Sequence, residues 1–282
     1  MSDGPARVRS PRRGNQIWPV PTPDGVVLQK LYAARDAGPS HWMRLLVERI
    51  ARQKTPTTVN ARWRTERMLL ATWRAAGCDV PEDRSARHPA YVHGTTTLLE
   101  FIDGKILGKL LASDTLTREQ RDDLLHRFAA AWGRRHALAL DTPDVRLIQE
   151  HGTFLHVIGA GDRLVTIDLE QAFTPRRDLM PLVAKEIVAY VRSLAKLTAH
   201  DVFRADIEAI VEAYPRREVL EAAVREYLDS PSPLRRAIWA LDRRLRDRRD
   251  RERGRTLGKY TALEVLQEVL ESDPDPVGLW AL

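Results

Sequence analysis

Cysteine is almost missing from this sequence: Cys78 is the only one in 282 residues. A lone thiol makes no intrachain disulfide and no multi-cysteine metal site, and it fits a reducing compartment. Long apolar runs are missing too. No stretch approaches the roughly 18–20 apolar residues that span a bilayer, so a transmembrane enzyme is excluded. The basic opening, residues 1–14, has no apolar segment behind it and does not read as a secretory signal. Lysine is scarce, seven of 45 basic residues. Several enzyme signatures are also absent. The eight histidines form no H-x-x-x-H or H-E-x-x-H pair, and there is no G-x-S-x-G or Walker sequence. Zinc hydrolases, serine hydrolases of the nucleophile-elbow type and P-loop enzymes therefore have no support. No internal repeat is visible.

What is present is a globular balance, 43% hydrophobic and 30% charged, on a chain long enough for a sizeable core. The net charge of +6 favours phosphate-bearing partners without naming one. Residues 1–15 read as a disordered basic arm, with order beginning near Gln16. Thr22-Pro23-Asp24-Gly25 is a turn signal, and a strand follows at 26–32. Helical spacing covers 41–53. A second helix runs over 61–76 and stops at Gly77, a usual place for a left-handed cap. Strands are expected at 91–93 and 95–102. Thr117 and Gln120 have capping-box spacing at the head of a helix ending near Leu138. Three short strands follow at 145–149, 154–158 and 163–167, the last two joined by a turn at 159–162. Helices then fill about 179–197, 201–213, 216–229, 232–251 and 260–271. Strand and helix do not alternate throughout, which excludes a doubly wound sheet. The order predicts an α+β chain in two lobes, a small β-rich one at 16–102 and a mostly helical one at 103–282.

Three features carry chemistry. Lys30 sits inside an apolar strand, where a lysine needs a partner carboxylate or a bound phosphate. Glu66, on the next amphipathic helix, is its candidate partner, a pair suited to nucleotide phosphates. A strand that passes into a helix at Glu100-Phe101-Ile102-Asp103-Gly104 leaves backbone groups that can pair with an adenine edge. Asp168 ends the apolar run Leu164-Val165-Thr166-Ile167, so its carboxylate is aimed at a cleft, as a hard divalent cation such as Mg²⁺ requires. Against these stand plainer readings: a strand-edge lysine, an ordinary loop, and a carboxylate capping the next turn.

The order of these pieces resembles protein-kinase-like phosphotransferases. Within them the chain is most similar to the bacterial lipopolysaccharide-core kinases, which phosphorylate heptose or Kdo sugars. Three stretches carry the resemblance, which covers about 26–198. Lys30 is followed by a further helix and a Thr-Pro segment before Trp63-Arg64-Thr65-Glu66. Ala75-Ala76-Gly77-Cys78-Asp79-Val80-Pro81 resembles their helix-end pattern. Val165-Thr166-Ile167-Asp168-Leu169-Glu170-Gln171-Ala172 resembles their metal-binding strand. The resemblance implies a two-lobed kinase-like fold with ATP and Mg²⁺ as cofactors. Lys30 would hold the phosphates, Glu66 would orient it, Glu100, Phe101 and Ile102 would line the adenine pocket, and Asp168 would bind metal with His156 as second ligand.

The departures are as informative. Such kinases place an acidic general base five residues before an Asn or His that precedes the metal-binding Asp by about twelve. Here those positions are His151 and His156, and Glu150 is the adjacent carboxylate. Glu150 or a neutral His151 would take the proton from an acceptor hydroxyl, with Asp144 a third candidate. No G-x-G-x-x-G covers the phosphates. The expected activity is transfer of a terminal phosphoryl group to a hydroxyl, on a cell-envelope sugar or glycolipid. The competing expectation is a pseudokinase that keeps the fold as a nucleotide- or partner-binding module. Residues 235–255 hold ten arginines among four acidic residues. This segment, the basic helix 232–255, reads as an arm for an anionic membrane surface or a phosphate-bearing partner. The alternative is a solvated helix laced with ion pairs. The scarcity of aromatics there argues against single-stranded nucleic acid. A cytoplasmic protein, peripheral at the inner face of the membrane, is the expected setting.

Overall fold

Alternation of side chains along a short antiparallel sheet sets the frame of the molecule. In the computed structural model, which describes residues 15–33, 54–228, 240, 243 and 257–272, β1 (Gln16–Thr22), β2 (Gly25–Leu31) and β3 (Thr96–Glu100) pair in that order. The register sets Ile17 opposite Lys30, Leu28 opposite Leu99 and Lys30 opposite Thr97. One face carries Val20, Val27 and Leu98, packed with Trp18, Tyr91 and Val92. The other face therefore carries Ile17, Leu28, Lys30 and Leu99. β1 contains Pro19 and Pro21 and was not expected as a strand. It lies at the sheet edge, where the missing N–H groups cost no ladder bond. Gly25 takes φ +109° at the hairpin turn, a value that disfavours any side chain.

Helix α1 (Val59–Ala75) starts at Thr58, whose hydroxyl accepts from the Ala61 amide. It ends in a Schellman arrangement. The Cys78 N–H bonds the Trp73 carbonyl, the Gly77 N–H bonds the Arg74 carbonyl, and Gly77 adopts φ +74°. Its buried stripe is Arg62, Thr65, Glu66, Leu69, Leu70 and Trp73, so polar and charged residues fill the N-terminal half of the inward face. The chain then runs through the two-residue strand β4 (Lys105–Ile106). An antiparallel hairpin of β5 (Val157–Ala160) and β6 (Arg163–Thr166) turns at Gly161, φ +57°.

Two compact units result. The first is Met1–Lys105, Asp144–Glu150 and His156–Arg176; the second is Ile106–Pro143, His151–Leu155 and Arg177–Leu282. The second is helical: α2 (Leu107–Leu111), α3 (Arg118–Asp141), α4 (Met180–Leu194), α5 (His200–Ala213), α6 (Arg217–Leu228) and α7 (Lys259–Ser272). The class is mixed α+β, as the sequence predicts. The capping box of Thr117 and Gln120 is present.

Three expected strands differ. Of residues 91–93, Tyr91 closes a 3₁₀ turn, Pro89–Tyr91, which Pro89 initiates with its fixed φ, and Val92 and His93 follow it outside any strand. The segment expected at 145–149 begins as the 3₁₀ turn Val145–Leu147, because the Asp144 carboxylate accepts from the Arg146 amide. The strand expected at 154–158 is the 3₁₀ turn Phe154–His156 followed by β5. Helix α3 runs to Asp141, past Leu138. Residues 1–14 of the expected arm at 1–15, the expected helix at 41–53 and most of the helix at 232–251 lie outside the described residues, and Asn15, the last residue of that arm, bonds Glu170 and Arg62.

The core of the second unit holds a sealed polar network. Glu186 pairs with Arg135, accepts from Trp132 Nε1 at 3.1 Å and faces His136 Nε2 at 3.2 Å. His136 Nδ1 meets the Tyr214 hydroxyl at 2.7 Å, so His136 packs there. Burial opposes ionisation of Glu186, but Arg135 and His136 overcome it and hold the carboxyl at about 2. Burial holds the His136 imidazole below its ordinary value. Both shifts have one sign. Stability from the neutral histidine is lost as pH falls below the unfolded value of 6.5, and that from the carboxylate as pH falls from 4.5 through about 2. The carboxylate's share is roughly 3 kcal/mol. Trp132 fluorescence should report a steep loss of thermal stability on acidification, and Glu186→Gln should flatten its lower part. An acid profile unchanged by that substitution would contradict the assignment.

Candidate functional site: cations and carboxylates in one cavity

β2 places Lys30 on the inner face of the sheet, and α1 brings Glu66 to it. Lys30 Nζ lies 2.7 and 3.0 Å from the two Glu66 oxygens. The Tyr32 hydroxyl donates to the same carboxylate. Asp168, two residues past the end of β6, sits with Oδ1 3.4 Å from Lys30 Nζ. The three residues that the sequence singles out at positions 30, 66 and 168 thus converge. Burial opposes a charged Lys30, yet Glu66, Asp168 and Glu170 outweigh it and raise the amine well above its usual value. Burial raises the Glu66 carboxyl despite Lys30. Partial enclosure works against the Asp168 carboxylate, whose side chain is still 44% exposed, but Lys30 and then His156 hold its carboxyl below the ordinary value.

Asp168 has φ +64°. This left-handed conformation costs a non-glycine residue about 1 kcal/mol or more and persists only where its surroundings enforce it. Beside it, the Ile167 N–H bonds the His156 carbonyl at 2.8 Å. His156 Nε2 then stands 3.4 Å from Asp168 Oδ2. Such backbone conformations cluster at functional sites, and this one stands just past the end of a strand beside a cavity.

The cavity is about 370 Å³, a size suited to a small ligand. Ile17, Leu28, Leu99, Ile102, Ile158 and Ile167 form its apolar walls, and Lys30, Arg62, Glu66, Asp168, Glu170 and Asn15 its polar end. All of them belong to the first unit. Period-2 alternation supplies Leu28 beside Lys30, and the register supplies Ile17 and Leu99. Glu100 also lines the cavity. Its side chain takes Arg163 Nη1 at 2.8 Å and the Glu82 amide at 3.2 Å. Burial works against the Glu100 carboxylate, but these bonds pull its carboxyl below the ordinary value. Phe101 is 44% exposed and its side chain is not in the lining. Among the described residues no hydrogen bond engages the backbone of Phe101 or Ile102. Gly104 keeps this segment against the hairpin, since a Cβ there would come 2.4 Å from the Gly159 carbonyl oxygen.

The other candidates lie apart from the lining. Glu150 is buried and paired with Lys54. The Lys54 segment is itself pinned beside Phe173, and the Thr55 amide bonds the Ala172 carbonyl at 2.9 Å. His151 is exposed and belongs to the second unit. Asp144 is held by Arg146, whose hydrogen bonds pull its carboxyl down.

The donor set fits a nucleotide and its metal. The apolar walls suit a purine, the free backbone at Phe101 and Ile102 suits its polar edge, and two buried cations suit phosphates. Asp168 and His156 are too few for an all-protein metal cage, and among the described residues no group of three or more acidic, histidine or cysteine side chains is arranged to hold an ion. Mg²⁺ bound to a nucleotide needs only one or two carboxylates, because phosphate oxygens and water complete its shell.

Asn15, Arg62 and Glu170 were not expected at the site. The signal was available on α1, where Arg62 and Glu66 are four apart and share a face.

No family model matches the chain. No curated protein matches it either. Among solved structures it is similar to the PknI kinase domain of Mycobacterium tuberculosis. A single-substitution variant of that domain gives a TM-score of 0.41 at 12% identity over 94% of each chain. A double-substitution variant gives 0.42 at 13%, again over 94% of each, and the unsubstituted domain 0.40 at 12%, over 93% of this chain and 94% of that one.

Proposed function

We propose that this protein is a kinase-like phosphotransferase that binds ATP with Mg²⁺ in the cavity of the first unit and acts on a hydroxyl-bearing acceptor. The observation that carries the reading is the meeting of Lys30, Glu66 and Asp168, from three distant parts of the chain, in one cavity with an apolar slot. Lys30 would hold nucleotide phosphates, and Glu66 would orient its amine. Asp168, with His156, would hold the metal, which when bound neutralises phosphate charge. Glu100 and the Phe101–Ile102 backbone would meet the adenine. Glu150 or His151 would take the proton of the acceptor hydroxyl. The resemblance of the sequence motifs around Lys30, Gly77 and Asp168 to lipopolysaccharide-core kinases is what suggests a cell-envelope sugar or glycolipid as acceptor. Among the described residues no helix is long and apolar enough to cross a membrane. A peripheral attachment through the arginine-rich segment at 232–255 belongs to the same proposal.

One observation favours a second reading, a pseudokinase. Glu150 is buried against Lys54, and a carboxylate engaged in this way is a poor proton acceptor. An ATP-consumption assay against sugar, glycolipid and protein acceptors, with thermal melting in millimolar Mg²⁺ and ATP, separates the readings. An active kinase stabilises with nucleotide and consumes it, and its rate falls about 100-fold or more in either His151→Ala or Glu150→Gln, identifying the base. Stabilisation without consumption by any acceptor selects the pseudokinase. No stabilisation at millimolar nucleotide removes both.

A further inference from the structure

Glu170 is surplus to what Lys30 needs. Glu66 already takes the Lys30 amine with both oxygens. Yet Glu170 Oε1 also lies 2.7 Å from Lys30 Nζ and accepts from Asn15 Nδ2, while Oε2 lies 3.0 Å from Arg62 Nη1. One carboxylate is thereby held by two buried cations and an amide.

Arg62 is the less expected of the two cations. It is 1% exposed, on α1, one turn before Glu66. A guanidinium is rarely buried without a dedicated anion. Nη2 donates to the Ala33 carbonyl, Nη1 to Asn15 Oδ1 at 3.1 Å and to Glu170. Its Nε has no acceptor among the described residues, although it is buried. A spare buried donor beside an exchangeable carboxylate is what an anion site looks like when a side chain fills it. Carboxylates and phosphates are held by the same forked geometry of an arginine.

We infer that Lys30, Arg62 and Asn15 form the cradle for the outer phosphates of the nucleotide, and that Glu170 is an internal anion occupying it until polyphosphate displaces it. The inference rests on the nucleotide-binding reading above and adds to it a competitor built into the site. It also answers the absence of a G-x-G-x-x-G sequence, since side chains then supply the donors that a glycine loop would supply from its backbone. Glu170 leaves Lys30 with Glu66 and turns from Arg62 when phosphate arrives. No bond is made or broken in the exchange.

The test compares ATP with AMP, each with Mg²⁺ and with chelator, by calorimetry on the full chain. AMP fills the apolar slot without reaching the cradle. Glu170→Gln should tighten ATP about tenfold, with or without metal, and leave AMP unchanged. Arg62→Met should weaken ATP about tenfold or more and leave AMP unchanged. Asn15→Ala, at a partly exposed position, should weaken ATP several-fold and decides the matter if the buried variants fail to fold. Equal effects on ATP and AMP, or an unchanged ATP affinity in Glu170→Gln, overturn the inference while the nucleotide site stands. A loss confined to the magnesium-loaded nucleotide makes Glu170 a metal ligand and overturns it too. If the unsubstituted chain binds neither ATP nor AMP, the nucleotide-binding reading itself falls, and the inference with it.

Discussion

Replacing Lys30 by methionine should lower the melting temperature on the order of 10 °C and abolish stabilisation by ATP with Mg²⁺. The amine is 4% exposed and stands against Glu66, Glu170 and Asp168 at 2.7, 2.7 and 3.4 Å. Methionine fills the volume but leaves three carboxylates facing one another. Breaking a buried pair by removing one partner costs about 3–5 kcal/mol, because the remaining charge stays desolvated.

The pH dependence of that loss identifies its cause. Lys30 is held above its ordinary value, so its contribution is complete below the unfolded value near 10.5 and disappears only as pH rises through the folded one. In Lys30→Met the influence lowering Glu66 is gone, and burial raises its carboxyl further. A carboxyl raised in the folded state destabilises progressively as pH climbs through that value. The gap in melting temperature between the natural chain and the variant should therefore widen from pH 5 to pH 8, and Glu66→Gln added to the variant should recover part of it. A gap that does not change with pH, together with ATP stabilisation retained, would mean that Lys30 is a packing residue and does not hold the nucleotide phosphates.

Lys30 was legible because an ammonium inside a strand of apolar neighbours has a large cost and so demands a partner. Asp168 was legible because it ends an apolar run. Arg62 and Glu170 were not, for the same charge reads as solvent-facing when it sits among other charges, as Arg62 does in Arg62-Trp63-Arg64-Thr65-Glu66. Only contacts distant in sequence, their mutual one across 108 residues and those of Arg62 with the Ala33 carbonyl and Glu170 with Lys30, remove them from water. The fold shows a parallel division. Helices with caps in the sequence, α1 and α3, were readable to within a few residues. Short apolar runs were not: Val145, Leu147 and Ile148 are all buried, but a run of this length carries no period that tells a strand from a 3₁₀ turn. The reverse holds for β1, where two prolines disguise a strand that only its edge position permits.

Asp168→Asn should leave the fold almost unchanged and remove the magnesium dependence of nucleotide binding, with phosphotransfer falling roughly hundredfold or more. Lys30 keeps Glu66 and Glu170 when the Asp168 charge goes, so the buried cation stays paired. Asparagine tolerates φ +64° about as well as aspartate does, so the backbone need not move. ATP affinity with chelator should match that of the natural chain, or exceed it slightly since one anion has left the cavity. Full magnesium-dependent binding and turnover in Asp168→Asn would remove this residue from the metal role. Two further substitutions separate strain from charge. Asp168→Gly relieves the left-handed backbone and Asp168→Ala does not, so the glycine variant should be the more stable by about 1 kcal/mol, while both lose the metal dependence equally. An order of melting temperatures that follows strain, beside a binding defect that follows charge, is the pattern expected of a residue held in an unfavourable conformation so that its carboxylate faces a ligand.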